Sequence, residues 1–135
     1  MSGMNPYASV EMTMPADLHP KISQFFGPGK PVGRMIDAWW LGLCIGVKHG
    51  QQRKRSDEVR KFADGTIFAS DDWRIVHLEL LAVAKKGEAI LAQPRDVIRL
   101  ASGYADYGLE WVAEHCLGAN EPILALLNAI EVPAA

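Results

Sequence analysis

The stretch VGRMIDAWWLGLCIGVKHG, residues 32–50, decides how the chain is read. Met35, Ile36, Trp39, Leu43 and Val47 recur at helical spacing and share one broad face, and Gly50 stands where a C-terminal cap belongs. The apolar run Ala38 to Val47, bounded by Asp37 and Lys48, is about half the roughly 20 residues needed to span a bilayer, so the spacing predicts a core helix. Gly42 and Gly46 each cost about 1 kcal/mol of helix propensity relative to Ala. Their four-residue spacing puts them on one side, where close approach of a second helix offsets that cost. Tight packing inside the domain is the expectation, and a self-association seam is the other use of such a pair.

Downstream, Asp71 or Asp72 offers an N-cap for a helix through Lys86, with Trp73, Val76, Leu80 and Val83 spaced as a core stripe and Gly87 as the stop. Lys85 and Lys86 fall where the helix dipole favours cations. Pro94 suits the first turn of a long helix to about Cys116, ended by Gly118, with Val97, Leu100, Tyr104, Tyr107 and Trp111 along one side. Asn120 and Pro122 open a last helix carrying Ile123, Leu124, Leu127 and Ile130. Between the first two helices, Asp64-Gly65 is a turn signal and Thr66, Ile67 and Phe68 are β-prone, which predicts one small hairpin near 62–70.

Upstream, Pro6, Pro15, Pro20, Pro28 and Pro31 deny residues 1–31 long regular structure. They read as an arm or wrapping segment in which Leu18, Ile22, Phe25 and Phe26 form one short helix that packs on the domain's own core. At 135 residues, 49% apolar and 22% charged, the chain suits one domain that buries roughly two-thirds of its unfolded surface. The expected architecture is mostly all-α: a bundle of about four main helices over 32–131, with the arm before it and a tail at 132–135.

Six of the 14 basic residues fall together: Lys48, Arg53, Lys54, Arg55, Arg60 and Lys61, opposed there by Asp57 and Glu58 alone. That segment carries about +4 and the remainder near −6, within a total of −2. A basic connector on an acidic body meets either phosphate or the acidic surface of a protein. No aromatic is interleaved with the charges, which disfavours a single-strand stacking platform. Arg95 and Arg99, at the start of the long helix, would extend the patch toward DNA. Asp106, Glu110 and Glu114 lie four apart and form an acidic ridge. Most such ridges are simply solvated; the functional use is to complement a basic partner surface, with divalent metal or acid/base chemistry as the lesser uses.

No catalytic constellation accompanies these features. His19, His49, His77 and His115 share no metal-ligand spacing, and neither a cofactor nor a metal is expected. Gly27, Gly29 and Gly33 with Lys30 lack the phosphate-loop spacing. Cys44 and Cys116, in separate apolar segments with no paired-Cys spacing, read as two buried free thiols. No secretory signal is visible, and the cytoplasm is the expected compartment.

The segments Leu43-Cys44-Ile45-Gly46-Val47-Lys48-His49-Gly50, Leu80-Leu81-Ala82-Val83-Ala84-Lys85-Lys86-Gly87-Glu88-Ala89-Ile90-Leu91 and Tyr104-Ala105-Asp106-Tyr107-Gly108-Leu109-Glu110 occur in this order. Over residues 36–112 the chain thereby resembles small proteins associated with bacterial Dnd (DNA phosphorothioation) defence cassettes. The resemblance implies a prokaryotic accessory protein of an anti-phage or DNA-modification system and brings no catalytic residues with it. The expectation is a non-enzymatic accessory subunit that binds protein partners in a complex or as a homo-oligomer, with no membrane contact. A small DNA-binding regulator, weakly contacting duplex phosphates through residues 48–61, is the alternative.

Overall fold

The computed structural model describes residues 5–27, 29–30, 33–54, 58–69 and 71–130. Its elements are β1 (Glu11–Pro15), α1 (His19–Ile22), α2 (Met35–His49), β2 (Val59–Asp64), α3 (Asp72–Lys86), α4 (Pro94–Cys116) and α5 (Pro122–Ile130), with 3-10 turns at Gly65–Ala69 and Glu88–Ala92. The mostly helical architecture with a small two-stranded sheet is therefore as the sequence implies. Arg55 and the 132–135 tail lie outside the described residues.

Helices α2 and α4 form the centre of the fold. A Cβ on Gly46 would lie 2.7 Å from the Tyr104 carbonyl carbon, and one on Gly42 would lie 2.8 Å from the Ala105 carbonyl oxygen. Gly108 of α4 answers them: its Cβ would come within 2.6 Å of the Gly42 Cα. The missing side chains let the two backbones touch, and that contact offsets the lost helix propensity. Around it Ile36, Trp39 and Leu43 from α2 and Val97, Ala101, Leu109 and Val112 from α4 are buried. Val47, predicted for the same face, is largely exposed in the last turn. Gly50 ends α2 in the left-handed region at φ 67°, its N–H returned to Gly46 and Val47.

Residues 7–26 are built into this core. Tyr7, Val10, Met12, Met14, Leu18, Ile22 and Phe26 are all buried, so the segment wraps the domain and supplies one of its two strands. β1 pairs antiparallel with β2 from Glu11↔Asp64 to Pro15↔Val59, and the register shifts between Met12 and Thr13. This corrects the expected 62–70 hairpin. The strand precedes the Asp64-Gly65 turn and takes its partner from far upstream. Thr66 donates both its backbone N–H (3.0 Å) and its hydroxyl to the Asp64 carboxylate, which winds residues 65–69 into a 3-10 turn.

α3 differs most from expectation. Arg74, Leu78 and Ala82 face inward, while Trp73, Val76 and Leu80 are 46%, 55% and 62% exposed. The cause is Arg74. Its guanidinium donates to Asp37 of α2 at 2.7 Å, reaches Asp71 at 3.5 Å and lies over the rings of Trp40 and Trp73. A buried cation must be paired, so this contact fixes the rotation of the helix and turns the predicted core stripe to the surface. Cys44 is also exposed, against expectation, whereas Cys116 is buried. In α5, Leu126 is inward and Leu124 and Leu127 are outward.

Candidate functional site

β1 alternates, with Met12 and Met14 buried and Glu11 and Thr13 turned outward. Across from them stands one flank of the first turns of α4, whose start is set by Pro94 at the first helical position. Between these surfaces lies an open cleft of about 510 Å³ lined by Ser9, Glu11, Thr13, Arg95, Arg99 and Ser102, with Val10 and Ile98 at its floor. Arg95 and Arg99 are one turn apart, so both guanidinium groups serve the same cleft. Lys61 of β2 reaches Glu11 at the rim (4.0 Å), and Arg99 is loosely held by Asp96 (3.5 Å). Both pairs are solvent-exposed and contribute little to stability.

A second cleft of about 450 Å³ adjoins it, lined by Gln52, Lys86, Ile90, Asp96, Arg99 and Leu100. Arg99 is the wall between the two. The Gln52 side chain donates to the Leu100 carbonyl (3.3 Å), which lays the 51–54 connector along α4. Cations from β2, the end of α3 and the start of α4 therefore share one open face. What such a face can do chemically is hold anionic oxygen atoms by charge-assisted hydrogen bonds.

The basic segment does not act as a unit. Lys48, in the last turn of α2, and Lys54, in the connector, are exposed, and Arg60 and Lys61 project from β2. Arg53 is different. It is half-buried, with ion pairs to Asp17 (3.3 Å) and Glu110 (3.1 Å), and its backbone N–H donates to the Gly103 carbonyl (3.0 Å). It fastens the connector between the turn after β1 and the middle of α4, so its place is in the framework. Arg60 stands close enough to His19 to depress that imidazole's pKa, adding to the larger effect of burial.

The predicted acidic ridge is also divided. Asp106 is fully buried on the inner side of α4, Glu110 is taken by Arg53, and only Glu114 is freely exposed among the three. A four-residue spacing fixes which residues share a side of a helix, but not whether that side meets water.

Elsewhere the titratable groups serve packing. His49 Nδ1 lies 3.1 Å from the Tyr107 hydroxyl, with its ring edge-on to Tyr107 and Trp111, and His115 Nδ1 lies 2.8 Å from the Trp111 carbonyl. The buried Tyr7 hydroxyl donates to Glu79 (2.9 Å). Burial, that bond and the Glu79 charge all push the phenol's pKa upward. Burial likewise raises the Cys116 thiol. Cys44 is exposed as a residue, but its sulfur is partly desolvated by its neighbours, which raises it too, with Arg74 partly countering. Among the described residues no group of three or more His, Cys, Asp or Glu side chains is placed to hold a metal ion, and no helix is long and apolar enough to cross a membrane.

Sequence reasoning named Arg95 and Arg99 but not the cleft, because Ser9, Glu11 and Thr13 reach it only through the β1–β2 pairing. Lys86 was read as a helix-end cation, and nothing local connects it with Arg99. No family model matches this chain, and no curated protein or solved structure is found to match it either.

Proposed function

We propose that this protein is a non-enzymatic accessory subunit that binds a macromolecular partner through the cationic face around the β1–α4 cleft. One observation carries the proposal: Lys61, Lys86, Arg95 and Arg99, drawn from three separate segments, stand around two adjoining open clefts divided by Arg99. A surface of this kind is complementary to carboxylate-rich or phosphate-bearing partners and steers them into place. Lys54 in the connector and Arg60, which alternates with Lys61 along β2, are exposed cations outside the two clefts. The likeness to Dnd-associated proteins suggests a prokaryotic anti-phage or DNA-modification complex as the setting.

A second reading, a small DNA-contacting regulator, is favoured by one feature. Ser9, Thr13 and Ser102 bring hydroxyl groups to the same cleft as Arg95 and Arg99, a donor set suited to phosphate oxygens.

Fluorescence anisotropy with labelled duplex DNA at low and near-physiological salt separates the two, comparing the wild type with Arg95→Ala/Arg99→Ala and with Lys54→Ala/Arg60→Ala/Lys61→Ala. DNA contact gives binding that both variants weaken and that falls with salt at a slope of about −0.9 per phosphate neutralised. No DNA binding by the wild type at either salt leaves the acidic protein partner. Affinity capture from the source cells with wild type and Arg95→Glu/Arg99→Glu then tests it: a captured set unchanged by the reversal would sink the assignment of this face.

A further inference from the structure

Beside the cationic face, with which it shares Lys86, α3 presents a second surface. Trp73, Val76, Leu80 and Val83 follow one another at spacings of three, four and three, the seam pattern of a helix that packs on another helix. The first three of these are about half exposed or more. The opposite side of the same helix, at Arg74, Leu78 and Ala82, is already buried against the rest of the chain. A helix apolar on two sides lies between two partners, and among the described residues this one has only one in the monomer.

The seam is held in a fixed shape. The Trp73 ring stands edge-on to Trp40 at 5.3 Å and to His77 at 5.8 Å, and the Arg74 guanidinium lies 4.5 Å over it. An exposed tryptophan immobilised by its own chain loses little further freedom on docking, which is how an interface anchor is made.

The charges beside the seam say what covers it. Asp72, Glu79 and Lys86 run along one flank at seven-residue intervals, acid at the start of the helix and base at its end. We infer that the occupant is a second copy of this chain, its α3 laid antiparallel on the first about a two-fold axis near residue 78. In that arrangement Trp73 of each copy meets Val83 of the other, and Val76 meets Leu80. The two ends then match, with Asp72 facing Lys86 of the other copy in both directions, and the helix dipoles oppose. A parallel pair would set acid end beside acid end and base end beside base end. The two Glu79 side chains meet near the axis as one like-charged pair, outnumbered by the two ion pairs at the ends, and each carboxylate is held by the Tyr7 hydroxyl of its own chain.

A 15-residue helix is about 22 Å long. A contact of that length is smaller than a standard interface of roughly 1,200–2,000 Å². The pair is accordingly micromolar in strength, and association is read between about 5 and 500 µM.

Sedimentation equilibrium of the full chain tests the pairing. The wild type is expected to pass from monomer to dimer across that range, and Leu80→Glu to remain monomeric. Asp72→Lys and Lys86→Asp each place like charges at both ends of the seam, so each alone associates at least tenfold more weakly. An equal mixture of the two restores both ion pairs and dimerises about as well as the wild type. Far-UV circular dichroism checks that each variant is folded, and the mixture itself shows that its components are competent. A wild type that stays monomeric to 500 µM overturns the inference. So does a dimer untouched by Leu80→Glu, or a mixture no stronger than its components. Lys86 also lines the second cleft, so Lys86→Asp is read here for pairing alone. Leu80→Glu and Asp72→Lys leave Arg95 and Arg99 untouched, and the DNA and capture experiments, which vary those arginines, test the cationic face separately.

Discussion

Adding one methyl group at Gly108 should unseat the two central helices, whereas the same change five residues earlier should not. A Cβ at position 108 would come within 2.6 Å of the Gly42 Cα and closer still to its carbonyl, and no rotamer relieves a clash with backbone. α2 must move away by about an ångström. A gap of that size forfeits a quarter to a half of each dispersion contact across the seam, which is occupied by Trp39, Leu43, Leu109 and Val112. Overpacking of this kind costs about 1–3 kcal/mol and occasionally more, and the improved helix propensity returns about 1 kcal/mol. Backbone on both sides puts the cost at or above the upper end, for a net loss of about 2–3 kcal/mol in Gly108→Ala. At Gly103 the nearest atoms a Cβ would meet belong to the Gln52 side chain, whose Nε2 lies 3.0 Å away and can swing aside, so Gly103→Ala should be neutral or up to about 1 kcal/mol more stable. Urea denaturation followed at 222 nm reads both. With a slope of about 1–3 kcal/mol per molar, Gly108→Ala lowers the midpoint by about 0.7–3 M. A Gly108→Ala protein within about 0.5 kcal/mol of wild type, or no worse than Gly103→Ala, would refute the backbone contact.

Replacing Arg74 by Met keeps the stem and strands Asp37, while Asp71 keeps Arg34 at 3.0 Å; thermal unfolding should report a loss of about 2 kcal/mol, less than for a fully buried pair because Asp37 keeps access to water. Tyr7→Phe removes the hydroxyl donated to Glu79 and should cost about 1 kcal/mol at pH 7. Because the folded-state pKa of Tyr7 is raised above its ordinary value of 10.0, its contribution is fully present below pH 10 and is lost as pH rises beyond it. Stability curves to pH 11 should therefore fall less steeply for Tyr7→Phe than for wild type, and equal alkaline limbs would contradict the assignment. A thiol-titrating disulfide reagent should modify one cysteine per native chain, Cys44, faster as pH rises because that thiol is shifted upward; Cys116 should react only on unfolding, as peptide mapping would show.

Local signals were enough for the long elements. Gly50, Gly87 and Pro94 mark three helix ends where the sequence puts them, and the Gly42/Gly46 pair declared a close helix contact. What escaped was everything decided across distance. α3 has apolar residues on two sides, and which side turns inward is settled by Arg74 finding Asp37 on α2. Pattern alone favours the side carrying Trp, Val and Leu, because it cannot see a buried ion pair. The 59–64 strand reads as charged connector until its partner at 11–15 is known. Arg53 looked like its basic neighbours, yet Asp17 and Glu110 converge on it from opposite directions. Asp106 shared a spacing with Glu110 and Glu114 without sharing their surroundings. The candidate site suffers most from this blindness, since its walls come from β1 and α4 and meet only in the fold.

The pairing of β1 with β2 has a consequence for how the chain comes into being. Pro15 must wait for Val59, and the strands cannot join until the second has left the ribosome. At about 5–20 residues per second, that delay lasts several seconds. Throughout it Met12, Met14, Leu18 and Ile22 have no α4 to cover them, because α4 is made later still. The growing chain thus carries these apolar side chains before the helix that covers them, and what shields residues 7–26 in the meantime matters for folding alongside the stability of the finished fold.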